Sequence, residues 1–559
     1  MEVPEVRKRV PLFWVLKRIR RRIPALLALI AAGVGSAVLG VTLALGTRNV
    51  IDTAVNADKN AFLTACLQQA GIILGILTCL TVSRHLSDRL RADLDRDWKK
   101  DLLHSLLRGD YASVSRYHSG ELINRLNNDV RIVDDGLIGA LPSVVSMIAR
   151  LICALTVLTT MEPWFALVVC AAGFAVVVIT GFMRRRLKEL HKKVSEKDGK
   201  VSSFLQETLE KLLMVQAMDV SAEMERRADD LLEQRYDIQR KRKNVSLFAN
   251  TSVSIMSYGA SFVALVWCAA RLLAGQMSFG SLTAVTQLVS QLQSPFTGLS
   301  AAIPQYIAMT ASAERLMELE NIPNEPETAG ESASSLYARM EGLCGEELVF
   351  SYDRDRVLNG ASFRIPKGAF AAITGPSGIG KSTLLKLLLG IFKPEQGGLY
   401  LDCGGERVAV DRSTRRLFAY VPQGNLLLSG TLRDNLCIAR PEATEEEIQQ
   451  AIYVGAMDEF LPQLPRGLDT VLGESGAGLS EGQAQRLAIS RAVLGGAPIL
   501  LLDECTSALD ANTEKKVLER IRGLENRTCI VVTHRPAALS LCDWQLEVDD
   551  GKFHAVKIK

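Results

Sequence analysis

Apolar residues run almost unbroken from Ile23 to Leu45. About 20 such residues, rising about 1.5 Å each, cross a hydrocarbon core of about 30 Å. Inside that core an open segment satisfies its own backbone N–H and C=O groups only as a helix. Five more stretches, about 61–82, 136–160, 164–183, 247–273 and 282–307, read the same way. The last is broken by Gln287, Gln291, Gln293 and Gln305, as suits a helix lining a polar path rather than lipid. The first 320 residues are thus expected to be all-α, with six membrane spans.

The two long connections, about 84–135 and 184–246, hold most of the loop cations, among them Arg84, Arg89, Arg91, Arg184, Arg185, Arg186, Arg240 and Arg242. The short loops, such as Met161-Glu162-Pro163, are poor in them. The positive-inside bias therefore puts both termini and both long connections in the cytoplasm. Leu90, Leu94, Trp98 and Leu102 recur every four residues between charges, so the helices are expected to continue out of the membrane. Residues 1–22 end in a basic amphipathic stretch, Leu12, Phe13, Trp14 and Leu16 alternating with Lys17, Arg18, Arg20, Arg21 and Arg22, expected to lie on an anionic lipid face. The first apolar run is too long for the core of a cleavable signal peptide. Arg150 falls midway along the third span, where a charge marks a functional position, here an anchor for an anionic group, or else snorkels or pairs with a neighbouring helix.

Composition says that this membrane half is not the whole. Over 559 residues the mean hydropathy is only +0.14, with 23% charged residues. A net charge of +3 gives no case for nucleic-acid binding, and the eleven cysteines show no C-x-x-C pair or zinc-like spacing, which reads as free thiols. Residues 321–344 are rich in Pro, Glu, Ser and Gly and read as a linker; from 345 to 559 short strands alternate with helices, an α/β pattern with a mostly parallel sheet.

In that second half, the apolar strand Ala369–Thr374 runs into Gly375-Pro376-Ser377-Gly378-Ile379-Gly380-Lys381-Ser382-Thr383, and a helical run of leucines follows. Strand, glycine loop and helix is the setting in which G-x-x-x-x-G-K-[ST] cradles phosphate: the glycines turn backbone N–H groups inward, and the helix N-terminus adds about half a positive charge. Lys381 would reach the β- and γ-phosphates, and the Ser382 hydroxyl would ligate Mg²⁺. A second buried strand, Pro498–Leu502, ends in Asp503-Glu504. Asp503 would hold Mg²⁺ and Glu504 would polarise the attacking water. Ser480-x-x-Gln483 is a capping box that aims a helix N-terminus and a hydroxyl at an anion.

Further pieces follow in fixed order: Tyr352 before the loop, Gln423 in Tyr420-Val421-Pro422-Gln423, Leu479-Ser480-Glu481-Gly482-Gln483, Ser507-Ala508-Leu509-Asp510, and His534 at the end of Cys529–Thr533. Together with the six spans, this set resembles an exporter-type half-transporter of the ABC family over essentially the whole chain. The resemblance implies ATP and Mg²⁺ as cofactors and ATP hydrolysis coupled to transport. Tyr352 would stack on adenine. Gln423 would sense Mg²⁺ and the attacking water. His534 would hold the γ-phosphate. Asp510 would communicate across a dimer and Glu474 would belong to the exporter X-loop. Ser480, Gly482 and Gln483 would engage the γ-phosphate bound by a second subunit. Segment 119–129 resembles the family pattern in the first connection; coupling helices are implied at about 110–118 and 206–217. Glu481 stands where the family has glycine, with a charge that suits the helix dipole but faces the incoming phosphate. Cys505 stands where a small residue is usual. Because Glu504 and His534 are both present, a homodimer is favoured over a heterodimer. The implied setting is a multi-pass protein of the bacterial inner membrane, its nucleotide domain cytoplasmic, exporting a lipid-like, amphipathic or drug or peptide substrate. Inward transport, as in siderophore uptake, and a non-transporting ATPase regulator are the alternatives.

Overall fold

The structure is a computed structural model that describes residues 11–325, 331–352, 355–424, 427–473, 476–549 and 552–558. It divides into two compact units: one runs to Leu106 and resumes over His118–Asn321; the other takes Leu107–Tyr117 and Ile322 onward.

Six long helices make the first unit. The expected spans lie within Ile23–Val55, Lys59–Arg108, Ser119–Met161, Pro163–Glu210, Ser221–Leu273 and Phe279–Glu320. Pro163–Ala175, in the fourth helix, is a shorter apolar stretch; among the described residues, four helices are long and apolar enough to cross a membrane by composition: Arg20–Val55, Lys59–Arg108, Ser119–Met161 and Ser221–Leu273. The sixth helix is not among them, consistent with its glutamines, and Pro295 and Pro304 interrupt its hydrogen-bond ladder. Its glutamines bond to neighbouring backbones, Gln291 Nε2 to Gly40 O at 2.8 Å and Gln293 Nε2 to Ser257 O at 2.9 Å.

This unit is apolar outside as well as in. Leu67, Leu74, Ile152, Phe174 and Phe262 are exposed, while Val41, Ala154, Leu158, Leu288 and Leu292 form a buried core. A surface of that kind calls for lipid or another protein against it. Small residues set the close approaches: a Cβ on Gly33 would stand 2.4 Å from Ser146 Oγ, and one on Gly298 would stand 2.4 Å from Met147 Cε.

Three ionic devices lie beside the apolar core. Buried Asp129 accepts from Ser312 Oγ and from Arg315, and buried Arg125 joins Glu121 and Glu318. These partners tie the irregular turn Arg125–Asp129 to the sixth helix; there, and again at Asp135–Ala140, the helix widens to π geometry. At the chain start, Trp14 packs on Trp98 with ring centres 5.3 Å apart, Arg18 pairs with Asp101 and Glu320, and Arg22 with Asp93 and Asp97. The basic stretch expected to lie on anionic lipid is therefore partly spent on carboxylates of its own chain, because Lys59–Arg108 carries an acidic row within reach.

The second unit has a six-stranded sheet in the order Lys552–Lys557, Trp544–Asp549, Phe370–Thr374, Thr528–Val532, Ile499–Asp503, Phe418–Val421. All neighbours are parallel except the edge strand Lys552–Lys557. The central strands are buried at every position because both faces are covered: Leu500, Leu502 and Val531 face one core, Leu501, Ile530 and Val532 the other. The mostly parallel expectation holds for this sheet. It missed the second one, an antiparallel four-stranded sheet built on the long hairpin Gly342–Tyr352 and Asp355–Pro366.

Leu107–Tyr117, which overlaps the first implied coupling segment, includes the helical turn Tyr111–Val114, capped by Asp110. Asp110 N donates to Pro323 O, and Glu325 N to Arg108 O. The Glu325 carboxylate takes both Arg415 nitrogens at 3.0 and 2.8 Å, and Arg415 Nε also donates to Leu389 O at the end of the phosphate-loop helix. The start of the linker is thus clamped. The second implied segment holds the helix Leu212–Ala217.

Candidate nucleotide site

Register assembles the site. Val532 pairs with Ile373 on one side and with Asp503 on the other, so three strands end level. The loops leaving them, at Gly375, Glu504 and Thr533-His534, converge on one edge, the carboxyl edge where parallel sheets bind ligands.

Gly375, Gly378 and Gly380 all have positive φ, at 143°, 83° and 104°. Gly375 and Gly380 also lack room: an added Cβ would sit 2.8 Å from Val548 O and 2.6 Å from Val357 Cγ1. Pro376, Ser377 and Ile379 complete the loop. Gly380 caps Lys381–Leu388 without a side chain, so the first N–H groups of that helix are left for an anion. Lys381 is 6% exposed; its ammonium donates to Gly375 O at 2.6 Å and Pro376 O at 3.0 Å and lies 2.9 Å from His534 Nε2. A buried cation held only by neutral acceptors favours an incoming phosphate. The neighbouring Thr383 hydroxyl reaches 3.5 Å from Tyr352 Oη.

The Ser382 hydroxyl donates to Asp503 Oδ1 at 3.0 Å, and Tyr420 Oη donates to Oδ2 at 3.1 Å. Burial pushes the Asp503 carboxyl above its ordinary value, and burial together with Asp503 pushes the Tyr420 phenol up. Ser382 and Asp503 offer the hard oxygen donors that Mg²⁺ takes, already side by side, so these residues fit that ion. Bound there, Mg²⁺ would supply charge neutralisation at the phosphates. Gln423, read from the sequence as sensing Mg²⁺ and the attacking water, donates to Glu504 Oε2 at 2.8 Å. Glu504 has φ of +48°, a strained conformation for a non-glycine residue. Its N–H is held by Val532 O.

Tyr352 packs edge-on against Phe350 and Phe392 and remains 39% exposed, a ring available for stacking. The capping box forms as read: Ser480 Oγ accepts from Gln483 N, and Gln483 Oε1 from Ser480 N. Glu481 is exposed at the first turn of the helix Glu481–Leu494. Gly482 leaves only 3.0 Å between an added Cβ and Ala508 O. Asp510 caps the helix Ala511–Arg522 through Asn512 N and Thr513 N; the Thr513 hydroxyl first, and then these N–H groups, hold its carboxyl below the usual range. Glu474 lies outside the described residues.

Sequence reading passed over Tyr420, Gln485 and Arg535. Gln485 bonds Ser507 Oγ and Ala508 N, and Arg535 donates to Ser507 O and Leu509 O, so both grip the turn before Asp510. The position of Arg535, directly after His534, was the available signal.

Two family models match, the ABC transporter transmembrane region over residues 23–296 and the ABC transporter model over 358–507. The chain is an ABC transporter. This ABC half-transporter is 28% identical to an ATP-dependent lipid A-core flippase of Desulfotalea psychrophila over 95% of its own length and 93% of that protein's. It is 35% identical over 54% of its length, and 52% of the relative's, to the mycobactin import ATP-binding/permease protein IrtB of Mycobacterium bovis. Its fold is similar to that of a bacterial Atm1-family ABC exporter with ATP bound, with TM-score 0.79 at 24% identity, covering 96% of this chain and 95% of that one. The ABC transporter's nucleotide domain implies ATP binding, and hydrolysis coupled to transport. Its apolar helices fit a multi-pass membrane protein.

Proposed function

We propose that this ABC transporter exports a lipid-like or amphipathic substrate by alternating access, as a homodimer with composite ATP sites, its nucleotide domains on the cytoplasmic side of a bacterial inner membrane. The membrane domain would be 23–320, the linker 321–344 and the nucleotide domain 345–559. In the chemistry, Lys381 and the loop N–H groups bind the phosphates, Ser382 and Asp503 receive Mg²⁺, and Glu504, steadied by Gln423, takes the proton of the attacking water. His534 steadies the γ-phosphate, and the second subunit presents Ser480, Gly482 and Gln483. Binding draws the two nucleotide domains together; loss of the terminal phosphate removes the bridging charge.

One observation carries the substrate class. Arg150 stands in the apolar helix Leu141–Met161, and its buried Nε has no hydrogen-bond partner among the described residues. An arginine held in such a setting favours an anionic partner. The packing of Ser146 and Met147, one turn below, against Gly33 and Gly298 puts this face of the helix between the first and sixth helices. The test is ATP-driven uptake of fluorescent lipids into inside-out vesicles. Uptake of an anionic lipid, reduced more by Arg150→Gln than uptake of a zwitterionic one, is expected. Equal loss for both lipids removes Arg150 from the argument. The partial likeness to the mycobactin importer makes the opposite direction the second reading; ATP-driven loss of cargo preloaded in inside-out vesicles would establish it.

A further inference from the structure

We infer that Tyr420 is a positioning residue for Asp503, fixing the carboxylate that receives Mg²⁺; this rests on the proposed metal role of Asp503. The strands Phe418–Val421 and Ile499–Asp503 run parallel, with Tyr420 opposite Leu501. Side chains on one face of a strand recur every second residue, about 6.6 Å apart. Asp503 therefore lies on the face of Tyr420, one repeat further along, and a phenol is long enough to bridge that step. The contact is made: Tyr420 Oη donates to Asp503 Oδ2 at 3.1 Å.

The opposite oxygen, Oδ1, is held by Ser382, which would exchange this bond for a direct role at the metal. Tyr420 is then the fixed side of the carboxylate. It stops the side chain from rotating when Ser382 turns to the ion. Glu504, one residue on, is held separately by Gln423. The two adjacent carboxylates thus have one positioning donor each, both from the segment Tyr420–Gln423. A shift of that segment moves both together.

Groups that orient a metal-binding carboxylate are commonly worth about tenfold or more in metal affinity. The test uses the full-length protein in lipid nanodiscs with Tyr420→Phe, which keeps the ring. Mn²⁺ binding in the presence of a non-hydrolysable ATP analogue is read by electron paramagnetic resonance. Binding of a fluorescent ATP analogue in EDTA is read in parallel. The expected result is Mn²⁺ affinity lowered about tenfold, a matching rise in the Mg²⁺ concentration for half-maximal hydrolysis, and unchanged metal-free nucleotide binding. An unchanged Mn²⁺ constant overturns the inference. So does an equal loss of metal-free binding, which would make Tyr420 a structural support of the whole site.

Discussion

The two units solve opposite problems. In the nucleotide unit, chemistry depends on position: Lys381, Asp503, Glu504 and His534 sit at the ends of strands whose register leaves little latitude. In the membrane unit, length and apolarity suffice for most positions, and large apolar residues are exposed as well as buried. A motif is legible where a residue type must stand at one place. It is not where many residue types would serve, and a substrate path through lipid-facing helices is of the second kind.

The sharpest way to break this contrast is to remove one atom's function from the nucleotide unit. Glu504→Gln keeps shape and size but is a poor proton acceptor. Hydrolysis should fall below about a tenth of the parent rate while ATP binding persists. Phosphate release and filter-binding measurements check the two halves separately, and turnover near the parent rate would mean that the strand ends do not place the base.

A smaller effect, about twofold where the sites fire independently, asks whether one unit is sufficient. Dimers mixing Ser480→Ala chains with Lys381→Ala chains concentrate both lesions in one composite site and leave the other intact. They should keep up to about half the parental hydrolysis if sites fire independently, and trap one nucleotide per dimer in either case. Each pure mutant should be nearly inactive. Equal trapping at both sites, or at neither, would show that each chain completes its own site.

The smallest effect concerns the clamp on the linker. Glu325→Gln weakens a partly buried bidentate pair with Arg415, at a cost of about 1–2 kcal/mol. A thermal shift of the full chain should fall by a few degrees, on the order expected for a domain of this size. No shift would mean that the clamp adds nothing to the neutral hydrogen bonds around it.

The legibility of the fold follows the same division. Apolar length revealed the helices, and the four-residue recurrence of Leu90, Leu94, Trp98 and Leu102 revealed that the second continues past its apolar stretch, as the 50-residue helix Lys59–Arg108 does. The phosphate loop, the capping box at Ser480 and the acidic strand end were readable as local patterns. The antiparallel hairpin was not, since its long strands carry irregular register that blurs alternation. Gln423 was legible as a residue but not as the donor to Glu504, a partner 81 positions away. Tyr420 and Arg415 were missed for the same reason: their bonds to Asp503 and Glu325 span 83 and 90 positions.

The backbone at Glu504 carries a last consequence. A left-handed turn costs a side-chain-bearing residue about 1–2 kcal/mol relative to glycine. A glycine there would be cheaper for folding and useless for taking a proton. At this one position, drift towards stability and retention of activity pull in opposite directions. A chain relieved of its duty to hydrolyse, as one half of an unequal pair, would have a ready thermodynamic reason to lose its carboxylate first.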